Sequence, residues 1–174
     1  VLGERFEVEA LAGEGDLGKV YKARDIKIDK PVGLRVIPPG VIDDSEDIDR
    51  MRLRVREASA LTHRNIRATF GMGVEDDGTI YLASEWIDGQ NLRTLLAKRA
   101  DAGKRFSFKG AYNVIGHVCN ALTYAHKKTV HAALCPRAIM VSEAGRVKVA
   151  DWGLSVIRTG LADYQGREGG EWVF

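Results

Sequence analysis

Gly13-Glu14-Gly15-Asp16-Leu17-Gly18 is the first stretch whose residue types and spacing could do chemistry. Glycines spaced this way let a backbone approach phosphate oxygens closely and aim N–H donors at them. The flanking runs narrow the reading. Phe6 to Leu11 alternates with a period of two, and Lys19 to Arg24 is rich in strand formers, so the glycines sit in a turn between two strands. A dinucleotide-binding loop needs a helix directly after its glycines, and Lys19 to Arg24 lacks a helical apolar stripe. That version and a plain glycine turn with no ligand both stay open on spacing alone. The second chemical stretch is Val130 to Gly153. It reads as a loop, a strand Ile139 to Val141, a turn over Ser142-Glu143-Ala144-Gly145, a strand Arg146 to Ala150, and then Asp151-Trp152-Gly153.

Other elements must position these two stretches. Pro31 to Ile37 reads as a third strand stopped by Pro38-Pro39, and it puts Gly33, Arg35 and Ile37 on one face. Arg35 alone could be an ordinary exposed strand residue; beside the glycine turn, an inward position is the reading adopted. Asp43-Asp44-Ser45 starts a helix in which Ile48, Met51, Val55 and Ala58 recur at helical spacing, with Glu57 inside it. Glu57 by itself reads equally as a solvated helix residue, and the run Arg50, Arg52, Arg54, Arg56 reads as a solvated face before a phosphate-binding patch. Ala68 to Val74 and Thr79 to Ser84 form a hairpin across Asp76-Asp77-Gly78. Asn91 caps a helix to Ala100. A longer helix from about Lys109 to Lys128 places Ala111, Ile115, Val118, Leu122 and Ala125 on one face, and His126 is expected to pack near the Val130 loop. The balance shifts from strand-rich to helical near Asp88-Gly89.

With 174 residues, 45% hydrophobic and 29% charged, the chain can bury a globular core. A net charge of +2 gives no reason to expect nucleic acid or an anionic membrane as partner. Cys119 and Cys135 form no spaced framework, so reduced thiols are expected and a cysteine metal site is not. No apolar run is long enough to cross a bilayer, no signal peptide is legible, and the start at Val1 suggests a piece of something longer.

These motifs, in this order, resemble the protein kinase family, and most nearly its bacterial serine/threonine members. The glycine turn fits G-x-G-x-x-G-x-V through Val20. The run V-G-L-R resembles V-A-I-K, with Gly33 for Ala and Arg35 for Lys. Arg56-Glu57-Ala58 and His63-Arg64-Asn65-Ile66 resemble R-E-A and H-P-N-I, and Glu85 to Leu92 resembles the hinge. On the loop H-R-D-L-x-x-x-N, His131 and Leu134 match, while Ala132, Ala133 and Ala138 replace the Arg, the catalytic Asp and the metal-binding Asn. Asp151 and Gly153 match D-F-G, with Trp152 for Phe. The chain stops at Phe174, before the A-P-E motif, so uncovered apolar faces are expected.

The resemblance implies an α+β bilobal fold. A five-stranded antiparallel sheet with one helix would fill residues 1–86, and an incomplete helical lobe 87–174. It implies a nucleotide site at Gly13, Gly15, Gly18, Val20, Gly33, Arg35, Glu85, Asp88 and Met140, with hinge backbone groups on the adenine edge and Asp88 near a ribose. It also implies an ion pair between Arg35 and Glu57, and one metal position at Asp151. Trp152 would stack with Leu61, Thr69 and His131. Ala133 carries a methyl group that accepts no proton, and Cys135 replaces a Lys near the transferring phosphoryl. Thr159 and Tyr164 follow the metal motif, but the Arg that would read a phosphate there is Ala132. The expectation is a pseudokinase: a regulatory or scaffolding cytoplasmic domain with protein partners, and weak ATP binding assisted by Mg²⁺. An active kinase with substitute catalytic groups and an interaction module without nucleotide are the alternatives.

Overall fold

Alternation along the third strand sets the architecture. In the computed structural model, which describes residues 1–154 apart from Asp16 and Asp43, this strand is β3 (Lys30–Ile37), after β1 (Phe6–Gly15) and β2 (Gly18–Asp25). Val32 and Leu34 are fully buried with Phe6, Ala23 and Ala83 on one side of the sheet. The opposite face carries Ile37, which packs on α1 (Ser45–Ser59) through Met51 and Val55. With β4 (Thr69–Val74) and β5 (Ile80–Glu85), the strands form one antiparallel sheet in the order β1-β2-β3-β5-β4. Five strands and one helix meet the expectation for this half.

The expected helix-start chemistry is present. Asp44 caps α1, its carboxylate accepting from the Glu46 amide at 2.8 Å, and Met51, Val55 and Ala58 are the buried stripe. Asn91 caps α2 (Leu92–Asp101), and Ser107 caps α3 (Phe108–Ala125).

A second sheet, β6-β7-β8, joins Gly89–Asn91, Ile139–Ser142 and Val147–Val149. The short β6 was not legible in the sequence. Helix α3 covers this sheet with Val114, Val118, Ala121 and Ala125. That stripe starts one residue before the expected one: Ile115 faces outward and is 61% exposed, alongside Phe108 at 88% and Tyr112 at 72%. His126 is exposed rather than packed near the Val130 loop. The uncovered apolar face expected of the second half is therefore present on α3.

The segment after α1 ties the two sheets together. The Val149 amide donates to the Asn65 carbonyl, and the Arg67 amide donates to the Val149 carbonyl, each at 2.8 Å. Asn65 Nδ2 donates to the Val147 carbonyl at 2.9 Å. Ala58, Leu61 and Ile66 thereby share one core cluster with Val118, Ala121, Val149 and Trp152.

One half-buried ion pair gives a pH signature. Asp25 is 1% exposed and takes Arg5 Nε at 2.9 and 3.0 Å. The Arg5 hydrogen bonds hold the Asp25 carboxyl below the usual carboxylate range, against the opposing effect of burial. Its folded value therefore lies below the unfolded value of about 3.9. The pair stabilises the fold above that pH, and the contribution is lost as pH falls through the folded value. Asp25→Asn should cost about 1–3 kcal/mol at neutral pH and much less in acid. Urea unfolding at pH 7 and pH 3 checks this; an equal loss at both would show that the carboxylate charge is not involved.

Candidate functional site

A cleft of about 460 Å³ lies between the two sheets. The β1–β2 hairpin covers it with Ala12, Gly13, Glu14 and Val20; Trp86 and Ile87 edge it; Met140 and Ala150 form its floor. Gly13, Val20, Arg35 and Met140, all expected at the site, line it together with Asp151. Gly15 and Gly18 close the hairpin as paired residues at the end of β1 and the start of β2.

Asp151 enters the cleft from a frame held by buried contacts of His131 and Trp152. His131 is 2% exposed, and its Nε2 lies 2.8 Å from the Ala150 carbonyl. A carbonyl only accepts, so Nε2 carries the proton. The Trp152 indole meets the His131 ring edge-on at 4.6 Å and donates to the Val149 carbonyl at 3.1 Å. Ala132 and Asp151 hold φ values of 57° and 60°, in the left-handed region. A residue with a Cβ pays roughly 1–2 kcal/mol there. Strain of this kind gathers at functional sites, and here it falls on two residues that flank the buried His131–Trp152 contact. Ala138, where the resemblance expects a metal-binding Asn, is fully buried.

Asp151 Oδ1 accepts from Arg35 Nη2 at 3.1 Å, with the two side chains 19% and 17% exposed. This corrects the expected Arg35–Glu57 pair. Glu57 instead meets Arg54 Nη1 at 3.0 Å on the helix surface and accepts from the Thr129 hydroxyl at 3.4 Å. The reason lies in the packing of α1. Its buried face belongs to Met51, Val55 and Ala58, and Leu154 joins that cluster. Gly153 lies so close to the helix backbone that a Cβ there would meet the Arg54 carbonyl group at 3.0 Å. At 100° per residue, Glu57 points away from the Val55 face, so Arg35 turns to the carboxylate that remains.

Asp88 does not line the cleft as expected; its Oδ1 accepts from the Trp86 indole at 2.6 Å. The Glu85 carboxylate takes Lys148 Nζ at 2.8 Å and the Ala68 amide at 3.2 Å, fastening the end of β5 to β8. Thr159 and Tyr164 lie outside the described residues.

Sequence reasoning missed Arg67. Its Nε donates to the Glu85 carbonyl at 2.8 Å, and its guanidinium lies against Gly33. Burial and the nearby Arg35 charge push the Arg67 guanidinium down from its ordinary value, while Asp151 and Glu85 push it up. It stays cationic at neutral pH.

The side chains as arranged do not fit a magnesium nucleotide. Asp151 is engaged by a guanidinium, Ala138 offers no oxygen, and the Glu85 carbonyl already has a donor. Among the described residues, no group of three or more His, Cys, Asp or Glu side chains could hold a metal.

Residues 6–172 match the model of the protein kinase domain. Serine/threonine-protein kinase pkn3 of Myxococcus xanthus is 32% identical over 166 residues, covering 91% of this chain and 29% of its own length. Serine/threonine-protein kinase PrkC of Bacillus subtilis is 30% identical over 152 residues, covering 87% of this chain and 23% of its own length. The solved PknI kinase domain of M. tuberculosis aligns with a TM-score of 0.76 at 23% identity, over 85% of this chain and 58% of that one. The chain thus spans less than a third of the length of these two curated relatives.

Proposed function

The chain belongs to the protein kinase family, and we propose that it is a pseudokinase domain that acts through protein contacts rather than phosphoryl transfer. The observation that carries this reading is the Arg35–Asp151 ion pair at 3.1 Å. In the family's chemistry, a lysine at position 35 steadies phosphates and the aspartate at 151 holds a cation. Here the two groups at those positions neutralise each other. The alanine at 133 supports the same reading, since loss of a general base costs about 10²–10⁴ in rate. These groups act as a unit, so their separate penalties do not multiply. The weak Mg²⁺-assisted nucleotide binding that the glycine turn suggests would first have to break this pair.

Phe108, Tyr112 and Ile115 stand exposed on α3, an apolar face that a protein segment of the same or another polypeptide can cover. We place the division between the lobes at Trp86, just after β5, and the domain in the cytoplasm. No helix among the described residues is long and apolar enough to cross a membrane.

A phosphotransfer assay with labelled ATP, on the protein itself and on generic protein substrates, tests the reading. Incorporation should not rise above a no-enzyme blank. Transfer that Asp151→Asn abolishes would instead establish an active kinase with a substitute base.

A further inference from the structure

A side chain of the protein itself sits where the resemblance puts a nucleobase. Arg67 follows the segment bound to β8, and the hydrogen bond from its amide to the Val149 carbonyl fixes its backbone against that strand. From there the guanidinium lies along the inner face of β3 and β5. Its Nε donates at 2.8 Å to the Glu85 carbonyl, a hinge backbone group on the expected adenine edge. Its Nη2 lies so close to Gly33 that a Cβ on that residue would collide with it. Gly33 pairs with Ser84 across β3 and β5, and the small Ser84 side chain stays beside Gly33, donating to its carbonyl at 3.1 Å. Two small neighbours, Gly33 and Ser84, thus leave a space that one large cation fills.

We infer that Arg67 is a built-in occupant of the nucleobase end of this cleft, that it keeps adenine nucleotides out of the folded protein, and that Gly33 is the residue that makes room for it. The inference rests on the pseudokinase reading for the location of the base, but it predicts something that reading does not. An adenine ring needs the Glu85 acceptor and the volume beside Gly33 at once, and Arg67 holds both. A planar guanidinium suits this place because it satisfies the carbonyl while lying flat under the strand.

Titration of the full-length protein with a fluorescent ADP analogue, with and without Mg²⁺, tests this. The wild type should show no saturable binding below about millimolar nucleotide. Arg67→Val frees the carbonyl and the space, and should tighten binding about tenfold or more, since a hydrogen bond of ordinary strength is worth roughly that factor. Gly33→Ala displaces the guanidinium without deleting it and should shift affinity in the same direction, which covers the case in which Arg67→Val fails to fold. In the Gly33→Ala/Arg67→Val double variant, the added methyl no longer meets a guanidinium, so it should melt no lower than Arg67→Val alone. Wild-type binding as tight as that of Arg67→Val would overturn the occupant role, as would weaker binding in Arg67→Val, which would make Arg67 a ligand contact. The two readings fail separately. Phosphotransfer by the wild type removes the pseudokinase reading, whereas equal nucleotide affinity in wild type and Arg67→Val removes this one.

Discussion

Trp152→Ala should lower the unfolding free energy by about 3–5 kcal/mol, the usual cost of truncating a buried tryptophan. The indole is 2% exposed and sits in the cluster that joins Ala58, Leu61 and Ile66 to Val118, Ala121 and Val149. Removing it opens a cavity where the two halves of the chain meet, and also takes one of two donors from the Val149 carbonyl and the ring contact from His131. For a chain of this size each kcal/mol is worth roughly 2–4 °C, so the melting temperature should fall by about 6–20 °C. Trp152→Phe keeps most of the ring and loses the N–H donor, so it should lose only about 1–2 kcal/mol. Denaturant unfolding of both variants separates packing from hydrogen bonding. A Trp152→Ala protein that melts within a degree or two of wild type would show that the lobes are joined elsewhere.

The second large effect concerns the ion pair. Asp151→Ala should cost about 2–4 kcal/mol, the lower part of the range for a buried pair, because each side chain keeps nearly a fifth of its surface in water. Arg35 and Arg67 would then share one cleft without the carboxylate that attracts them both. Removing Arg35 as well should recover much of the loss. Arg35→Met/Asp151→Ala is expected to be more stable than Asp151→Ala alone, because replacing both partners leaves no orphaned charge. A double variant less stable than either single one would show that these side chains matter for packing and not as a charge pair.

Much of this fold could be read before any coordinates. The period-two run of β1, the strand formers of β2, the Met51, Val55 and Ala58 stripe of α1 and the His131 to Asp151 frame depend on local pattern, and local pattern is what a sequence displays. The α3 stripe was off by one position because Val114 and Ile115 are both apolar and either could begin a helical face; the sheet beneath decides. The partner of Arg35 was misread for a different reason. Glu57 and Asp151 are both acids that the resemblance puts near the same strand, and the choice between them shows only in the packing of α1, which turns Glu57 toward Arg54 and Thr129. Arg67 left the faintest trace. It stands in an ordinary polar run, Arg64-Asn65-Ile66-Arg67, and its place shows only once the register puts Gly33 opposite Ser84. Two small residues facing one another across a cleft wall were the available signal that something large must fill the gap.

The hydrogen bonds between the Asn65 segment and β8 also set an order of events during synthesis. Asn65 and Val147 are 82 residues apart, so the floor of the cleft is a contact of high sequence separation. At ribosomal rates of about 5–20 residues per second, roughly 4–16 s pass between the emergence of the two partners. Within that interval, once β5 has emerged, the first sheet can assemble, since β1 to β5 pair with one another, while Arg67 has no β8 carbonyl to hold its backbone. The nascent first half thus passes through a stage in which its cleft wall is built and the Arg67 backbone is not yet tied to β8. Cotranslational pauses or chaperone contacts in that window would act on a form of the chain that the finished protein no longer presents.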